Sequence, residues 1–225
     1  MNARRLAAYI TGLALMMVGL VAIERFSDAG LSLLVPSRFA TTMGTSEYSV
    51  VEWLQVVMLV FIAVLAWHSA RVSRLYRSLS LIWLAIACAA ICRELDLFLD
   101  GYLFDHAWQI LVAMIGVAAI VHGLRHKRAL SAAWTRAINE LATPIIFLGI
   151  AITVIFANAL GSEGLWLSLM GDDYQRVAKI AAEEIAELAG YWMWLVGQIE
   201  FSLAAPRQHV PRERKERRKK ERRRR

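Results

Sequence analysis

Polar and ionisable side chains lie at the ends of three long apolar segments of this chain. They are Glu52 and Gln55 in one segment, Arg93, Glu94, Asp96 and Asp100 in a second, and Glu184 and Glu187 in a third. In a membrane such groups cost about 2.5–3.5 kcal/mol each when central, so they normally face a protein interior or a wet cavity. We therefore predict that these eight residues bind a ligand.

The spacing of these residues indicates the chemistry of that ligand. Arg93, Asp96 and Asp100 follow an i, i+3, i+7 pattern, which places a cation and two carboxylates on one helix face. Carboxylates gathered at one depth repel each other, and a cation, a bound proton or a cationic headgroup relieves that repulsion. Arg93 would hold an anionic part of the ligand. The favoured prediction is thus binding or transport of a cation or a lipid headgroup.

A metal ion is one form that this cation could take. Oxygen ligands suit Mg²⁺, Ca²⁺ or Mn²⁺ better than Cu⁺ or Zn²⁺. The candidate metal ligands are Glu52, Glu94, Asp96 and Glu187.

Two further hypotheses compete with binding or transport. In the first, the protein is a metal-assisted hydrolase or transferase that acts on a lipid-linked substrate at the outer leaflet, with Glu52 or Glu94 as general base. In the second, it is a scaffold whose acidic residues are structural, for example with Arg93 and Asp96 forming an intrahelical ion pair. The chain contains no Walker A loop, G-x-G-x-x-G, H-E-x-x-H or G-x-S-x-G motif that would favour a particular enzyme.

Six apolar segments must position these residues. A helix needs about 20 mostly apolar residues to cross the hydrocarbon core. The six segments are Leu6–Ile23, Val50–Trp67, Leu79–Leu99, Ala107–Leu124, Leu141–Leu160 and Ile185–Ala205. The fold prediction is therefore an all-α bundle of six transmembrane helices over residues 1–205. The alternative for the first segment is a cleaved signal peptide, because Arg4 and Arg5 precede it.

The distribution of basic residues predicts the orientation. With the N-terminus inside and six spans, 21 of the 26 Lys and Arg residues lie on the cytoplasmic side and 14 of the 19 Asp and Glu residues lie on the other. Cytoplasmic loops hold the excess of Lys and Arg. Both termini are thus predicted to be cytoplasmic, and the acidic residues are predicted to face outside. In general appearance the chain resembles small bacterial inner-membrane proteins, a resemblance that assigns no role to any residue.

The last 20 residues form a second predicted region. Residues 206–225 are strongly basic, and the part from Arg212 to Arg225 contains only Arg, Lys and Glu, so it cannot form a core. We predict a disordered cytoplasmic tail that contacts anionic phospholipid headgroups, at about 1 kcal/mol per basic residue near the surface. Nucleic acid is disfavoured because no aromatic residue lies between the charges to stack on bases.

Overall composition agrees with these predictions. The chain has 225 residues, 58% of them hydrophobic, and a formal net charge of +7. It is too apolar for a disordered protein. Two cysteines cannot supply a disulfide framework.

Overall fold

The computed structural model describes residues 3–26 and 50–208, and every regular element in this part of the chain is helical. The helices are α1 (Ala3–Phe26), α2 (Val50–Val72), α3 (Arg77–Glu94), α4 (Asp96–Tyr102), α5 (Ala107–Arg125), α6 (Lys127–Ala137), α7 (Ala142–Leu160), α8 (Glu163–Met170) and α9 (Arg176–Ala204). Short 3₁₀ turns, Gly171–Asp173 and Ala205–Gln208, precede and follow α9. The all-α prediction is confirmed. The predicted tail from residue 209 onward lies outside the described residues.

Among the residues that the structure describes, four helices are long and apolar enough to cross a membrane. They contain Ala3–Leu20, Val51–Val72, Ala107–Arg125 and Ala142–Leu160, which match the first, second, fourth and fifth predicted spans. In α5, the side chains of Ile110, Met114, Val117, Val121 and Leu124 form an exposed stripe at helical spacing. A soluble protein rarely exposes so continuous an apolar surface. These helices have the length and surface of membrane-protein helices.

The third and sixth predicted spans are also helical, but charges make them less ordinary. Among the described residues neither helix combines the length and apolar composition of the other four, because α3 ends in Arg93 and Glu94 while the N-terminal half of α9 carries several glutamates. With 29 residues, α9 is about 43 Å long, which exceeds the hydrocarbon thickness of roughly 30 Å. Four helices among the described residues thus meet the requirements for a span, and α3 and α9 are two further candidates.

Helix α7 contains an irregular central part. Residues Ile152–Ala157 form a π-helical segment between two α-helical parts. The hydroxyl of Thr153 donates to the Gly149 carbonyl at 3.2 Å, one turn earlier. A side-chain bond of this kind competes with the regular helix ladder, and π segments frequently mark functional sites.

The described residues belong to two compact units. The first unit falls within Met1–Leu59 and Ile145–Val196, and the second within Val60–Pro144 and Gly197–Arg225. The first unit contains α1, α8, the N-terminal part of α2 and most of α7 and α9. The second unit contains α3–α6 with the C-terminal parts of α2 and α9, and its helices α3 and α5 pack along their length. The eight predicted site residues are divided between the units, four in each.

Candidate functional site in the first unit

Helices α2 and α9 are joined by a polar contact that involves two of the predicted site residues. The Gln55 side-chain amide donates from Nε2 to Glu184 Oε2 at 3.0 Å, and the same nitrogen lies 3.4 Å from the Glu184 carbonyl oxygen. Glu52 is one helix turn before Gln55, and Glu187 is one turn after Glu184. Because residues three apart share a helix face, the contact joins two faces that each carry a further carboxylate. We call Glu52, Gln55, Glu184 and Glu187 the carboxylate site.

Two members of the carboxylate site are deeply buried. Gln55 is 0% exposed and Glu187 is 4% exposed. A buried carboxylate is stable only when donors or a positive charge compensate it, since transfer of an isolated charge from water is very costly. The sequence predicted that these residues face a protein interior, and for Gln55 and Glu187 the burial agrees.

Hydrogen-bond acceptors outnumber donors within the carboxylate site. An ionised carboxylate only accepts, and the amide nitrogen of Gln55 already donates to Glu184. The other amide atom, Gln55 Oε1, is buried and has no hydrogen-bond partner among the described residues. A ligand that pairs with Gln55 Oε1 must therefore bring a hydrogen-bond donor, and the neighbouring carboxylates favour a donor with positive charge.

Helices α7 and α9 pack closely one turn after Glu187. A Cβ atom added to Gly149 would lie 2.5 Å from the backbone nitrogen of Trp194 and 2.7 Å from the Gly190 carbonyl oxygen. One added to Gly190 would overlap the hydroxyl of Thr153. Only glycine permits this approach, which brings the π segment of α7 beside the turn of α9 that follows Glu187.

The end of α7 meets α9 at a second point. The Glu183 carboxylate lies against Gly161, where a Cβ would collide with it. Since Glu183 precedes Glu184, this contact lies beside the carboxylate site. Trp166 of α8 donates its indole N–H to the Leu160 carbonyl and so covers the orphan end of α7.

The remaining predicted residues form a separate group in the second unit, at the junction of α3 and α4. Helix α3 ends at Glu94, five residues before the predicted end of the third span, and Leu95 separates it from α4. Leu95 still donates to the Ile91 carbonyl at 3.0 Å, and Leu99 donates to Leu95 at 2.8 Å, so the chain stays close to helical. The change at Leu95 weakens the prediction of one regular face through Arg93, Asp96 and Asp100.

Charged groups at this junction have local partners. Arg93 Nη1 pairs with Glu94 Oε1 at 2.9 Å, and the Asp96 carboxylate accepts from the Leu97 N–H at 2.6 Å. The Oδ1 atom of Asp100 is buried without a hydrogen-bond partner in residues 3–26 and 50–208. This ion pair resembles the one expected if the acidic residues are structural, except that the partner of Arg93 is Glu94 and not Asp96.

The described residues contain no group of three or more His, Cys, Asp or Glu side chains placed to hold a metal ion. The metal-ligand prediction for Glu52, Glu94, Asp96 and Glu187 therefore gains no support from this part of the chain. Sequence reasoning missed the π segment beside the carboxylate site. Gly190, one heptad before Gly197, did indicate close helix packing on α9, but spacing did not indicate that Gly149 of α7 is its partner.

In comparisons with known proteins, no family model, no curated protein and no solved structure matches this chain.

Proposed function

We propose that this protein binds a positively charged group, the ammonium of a lipid headgroup or a cation, at the carboxylate site. The observation that carries the proposal is the buried Gln55 Oε1 atom, an acceptor that has no hydrogen-bond partner among the described residues and belongs to a side chain whose amide nitrogen donates to the Glu184 carboxylate. Burial of Glu187 strengthens the attraction for such a group, since charges interact more strongly away from water.

The proposal includes the predicted topology. With six spans and both termini in the cytoplasm, the carboxylate site lies toward the outer face of a bacterial inner membrane. This orientation is supported by the excess of Lys and Arg on the other side. Residues Arg212–Arg225 then contact anionic phospholipids of the inner leaflet.

Thermal unfolding of the detergent-purified protein tests the proposal. The probes are MgCl₂, CaCl₂, MnCl₂ and phosphatidylethanolamine, with NaCl at equal ionic strength as the reference. A probe at 100 times its Kd stabilises the folded state by about 2.7 kcal/mol, which raises the Tm by roughly 5–10 °C in a chain of this size. We expect at least one probe to raise the Tm of the wild type and to leave Glu187→Gln unchanged.

A matched variant separates the site from general charge effects. Glu163, at the exposed start of α8, lies outside the carboxylate site, so Glu163→Gln should respond as the wild type does. The divalent salts and the phospholipid distinguish a metal ion from an ammonium headgroup. Equal responses of the wild type and Glu187→Gln to every probe would contradict the proposal.

A further inference from the structure

Several segment ends meet at one end of the second unit, away from the residues discussed so far. The hydroxyls of Ser69 in α2 and Ser202 in α9 lie 2.8 Å apart. The rings of Tyr76, between α2 and α3, and Phe201 in α9 are 5.0 Å apart. Tyr76 also lies close enough to Glu140, before α7, to interact electrostatically with it. These contacts bring the ends of α2 and α9 and the starts of α3 and α7 together.

Four side chains in these segments are almost completely buried. Tyr76 is 1% exposed, Ser80 0%, Thr143 1% and Gln198 0%. Gln198 shares a face of α9 with Ser202 and Phe201, which hold the two contacts described above. Thr143 donates its backbone N–H to the Glu140 carbonyl at 3.1 Å, and Ser80 donates its own to the Tyr76 carbonyl at 2.8 Å. We call these four residues the hydroxyl–amide cluster.

Polar atoms of the cluster have unmet hydrogen-bonding capacity. The hydroxyl oxygens of Tyr76, Ser80 and Thr143 and both amide atoms of Gln198 have no hydrogen-bond partner within the described ranges. Each buried polar group left without a partner costs about 1–3 kcal/mol. A glutamine with both amide atoms unmatched and 0% exposure is therefore expected only where something polar completes it.

The chemistry of the cluster defines its ligand. Hydroxyls both donate and accept, and the Gln198 amide donates from its nitrogen and accepts at its oxygen, so donors and acceptors are balanced. Burial, and then the charge of Glu140, raise the pKa of Tyr76, whereas Arg136 lowers it by a smaller amount. The phenol therefore keeps its proton at neutral pH and the four side chains are uncharged. A balanced, uncharged set matches a ligand that also donates and accepts without charge.

We infer that Tyr76, Ser80, Thr143 and Gln198 form a binding site for an uncharged hydroxylic ligand, either ordered water or the hydroxyl groups of a small polyol. The ligand bridges Gln198 of α9 to the hydroxyls of the other three segments and so ties the four segment ends together. The site is independent of the carboxylate site, because it uses other residues and the opposite kind of chemistry, uncharged instead of ionic.

A double-mutant cycle in the full-length protein tests the inference. Gln198→Met and Tyr76→Phe each remove polar atoms with little change in volume. If a ligand bridges them, each variant leaves the ligand and the remaining hydroxyls poorly paired, and the Tm falls by roughly 3–6 °C. Because both variants break one network, the fall in the double variant should be smaller than the sum of the two. Ile62→Met, at a fully buried apolar position of α2 in the same unit, is the volume-matched control.

The opposite results overturn the inference. If the cluster is dry, Gln198→Met removes two unpaired atoms, and its Tm equals or exceeds that of the wild type. If the fall in Tm of the double variant equals the sum of the falls in the two single variants, nothing bridges Gln198 and Tyr76. If either variant fails to fold, a wild-type crystal structure that resolves ordered water decides, since an absence of density within hydrogen-bond distance of Gln198 and Tyr76 overturns the site.

Added solutes distinguish the two sources of the ligand. Glycerol carries hydroxyls, whereas betaine stabilises proteins generally and carries none. A gain in Tm from glycerol that is larger in the wild type than in Gln198→Met, without such a difference in betaine, assigns a polyol. If glycerol raises the Tm of the wild type and of Gln198→Met equally, and the double-mutant cycle shows coupling, the ligand is water.

Discussion

Gln55 shows how much a single residue can determine in an apolar environment. Its position one turn after Glu52 was readable from the sequence, and so was the expectation of a buried role. Its partner was not, because Glu184 is 129 residues away and the periodicity of α9 offers Glu183, Glu184 and Glu187 as alternatives. In the structure Glu183 lies against Gly161 and Glu184 meets Gln55, an arrangement that depends on a helix rotation which sequence spacing does not specify.

A double-mutant cycle measures the Gln55–Glu184 contact. Each of Gln55→Leu and Glu184→Leu removes one partner of a largely buried hydrogen bond, so their effects on the free energy of unfolding should be coupled by about 0.5–3 kcal/mol. Chemical denaturation of the four proteins supplies the measurement. Gln55→Leu combined with Glu163→Leu is the control pair, and should be additive. Additivity in both pairs would mean that the contact contributes nothing specific.

At the scale of elements, the helices were predictable and their interruptions were not. Apolar length alone indicated α1, α2, α5 and α7, and each is present near its predicted bounds. The chain changes conformation at Leu95, and the π segment in α7 coincides with the Thr153–Gly149 hydrogen bond and the glycine contact with α9. Neither leaves a periodic signal. This is why the predicted face through Arg93, Asp96 and Asp100 is less regular than its spacing implied.

The glycine contact gives a prediction for α7 and α9. Gly190→Ala places a methyl group against the Thr153 hydroxyl and backbone, so the helices must separate, at a cost of about 1–3 kcal/mol in unfolding free energy. Gly116→Ala in α5 is the matched control, because a Cβ there meets nothing within 4 Å. That variant should be neutral or stabilising by up to about 1 kcal/mol. Equal effects of the two variants on thermal unfolding would contradict the packing described for α7 and α9.

At the scale of the whole molecule, α3 and α9 decide how many helices cross the membrane. Four helices within residues 3–26 and 50–208 satisfy the requirement by length and composition, whereas α3 and α9 carry charges. Sequence alone could not resolve this, because a charged helix end is compatible with both a span and an interfacial position. A topology with six spans and one with four both place the C-terminus in the cytoplasm when the N-terminus is cytoplasmic. The location of the tail therefore does not distinguish them.

Reporter fusions at internal positions do separate them. If all six helices span, the segments containing Asp105 and Asp173 lie outside and Asn139 lies inside. If only α1, α2, α5 and α7 span, with the same N-terminal orientation, all three positions are reversed. We expect a phosphatase that is active only outside to work at Asp105 and Asp173, and a fluorescent protein that folds only inside to work at Asn139. The reversed pattern would contradict the six-span topology, and a fusion after Arg225 serves as the cytoplasmic reference in both.

Native mass spectrometry of the protein extracted from its membrane tests the central claim most directly, because it identifies what the carboxylate site retains. The wild type and Glu163→Gln are predicted to carry a bound amine-containing phospholipid or cation, whereas Glu187→Gln and Glu184→Gln lose it at equal protein yield. The same bound species in all four proteins, at the same occupancy, would contradict a cation-binding function for Glu184 and Glu187.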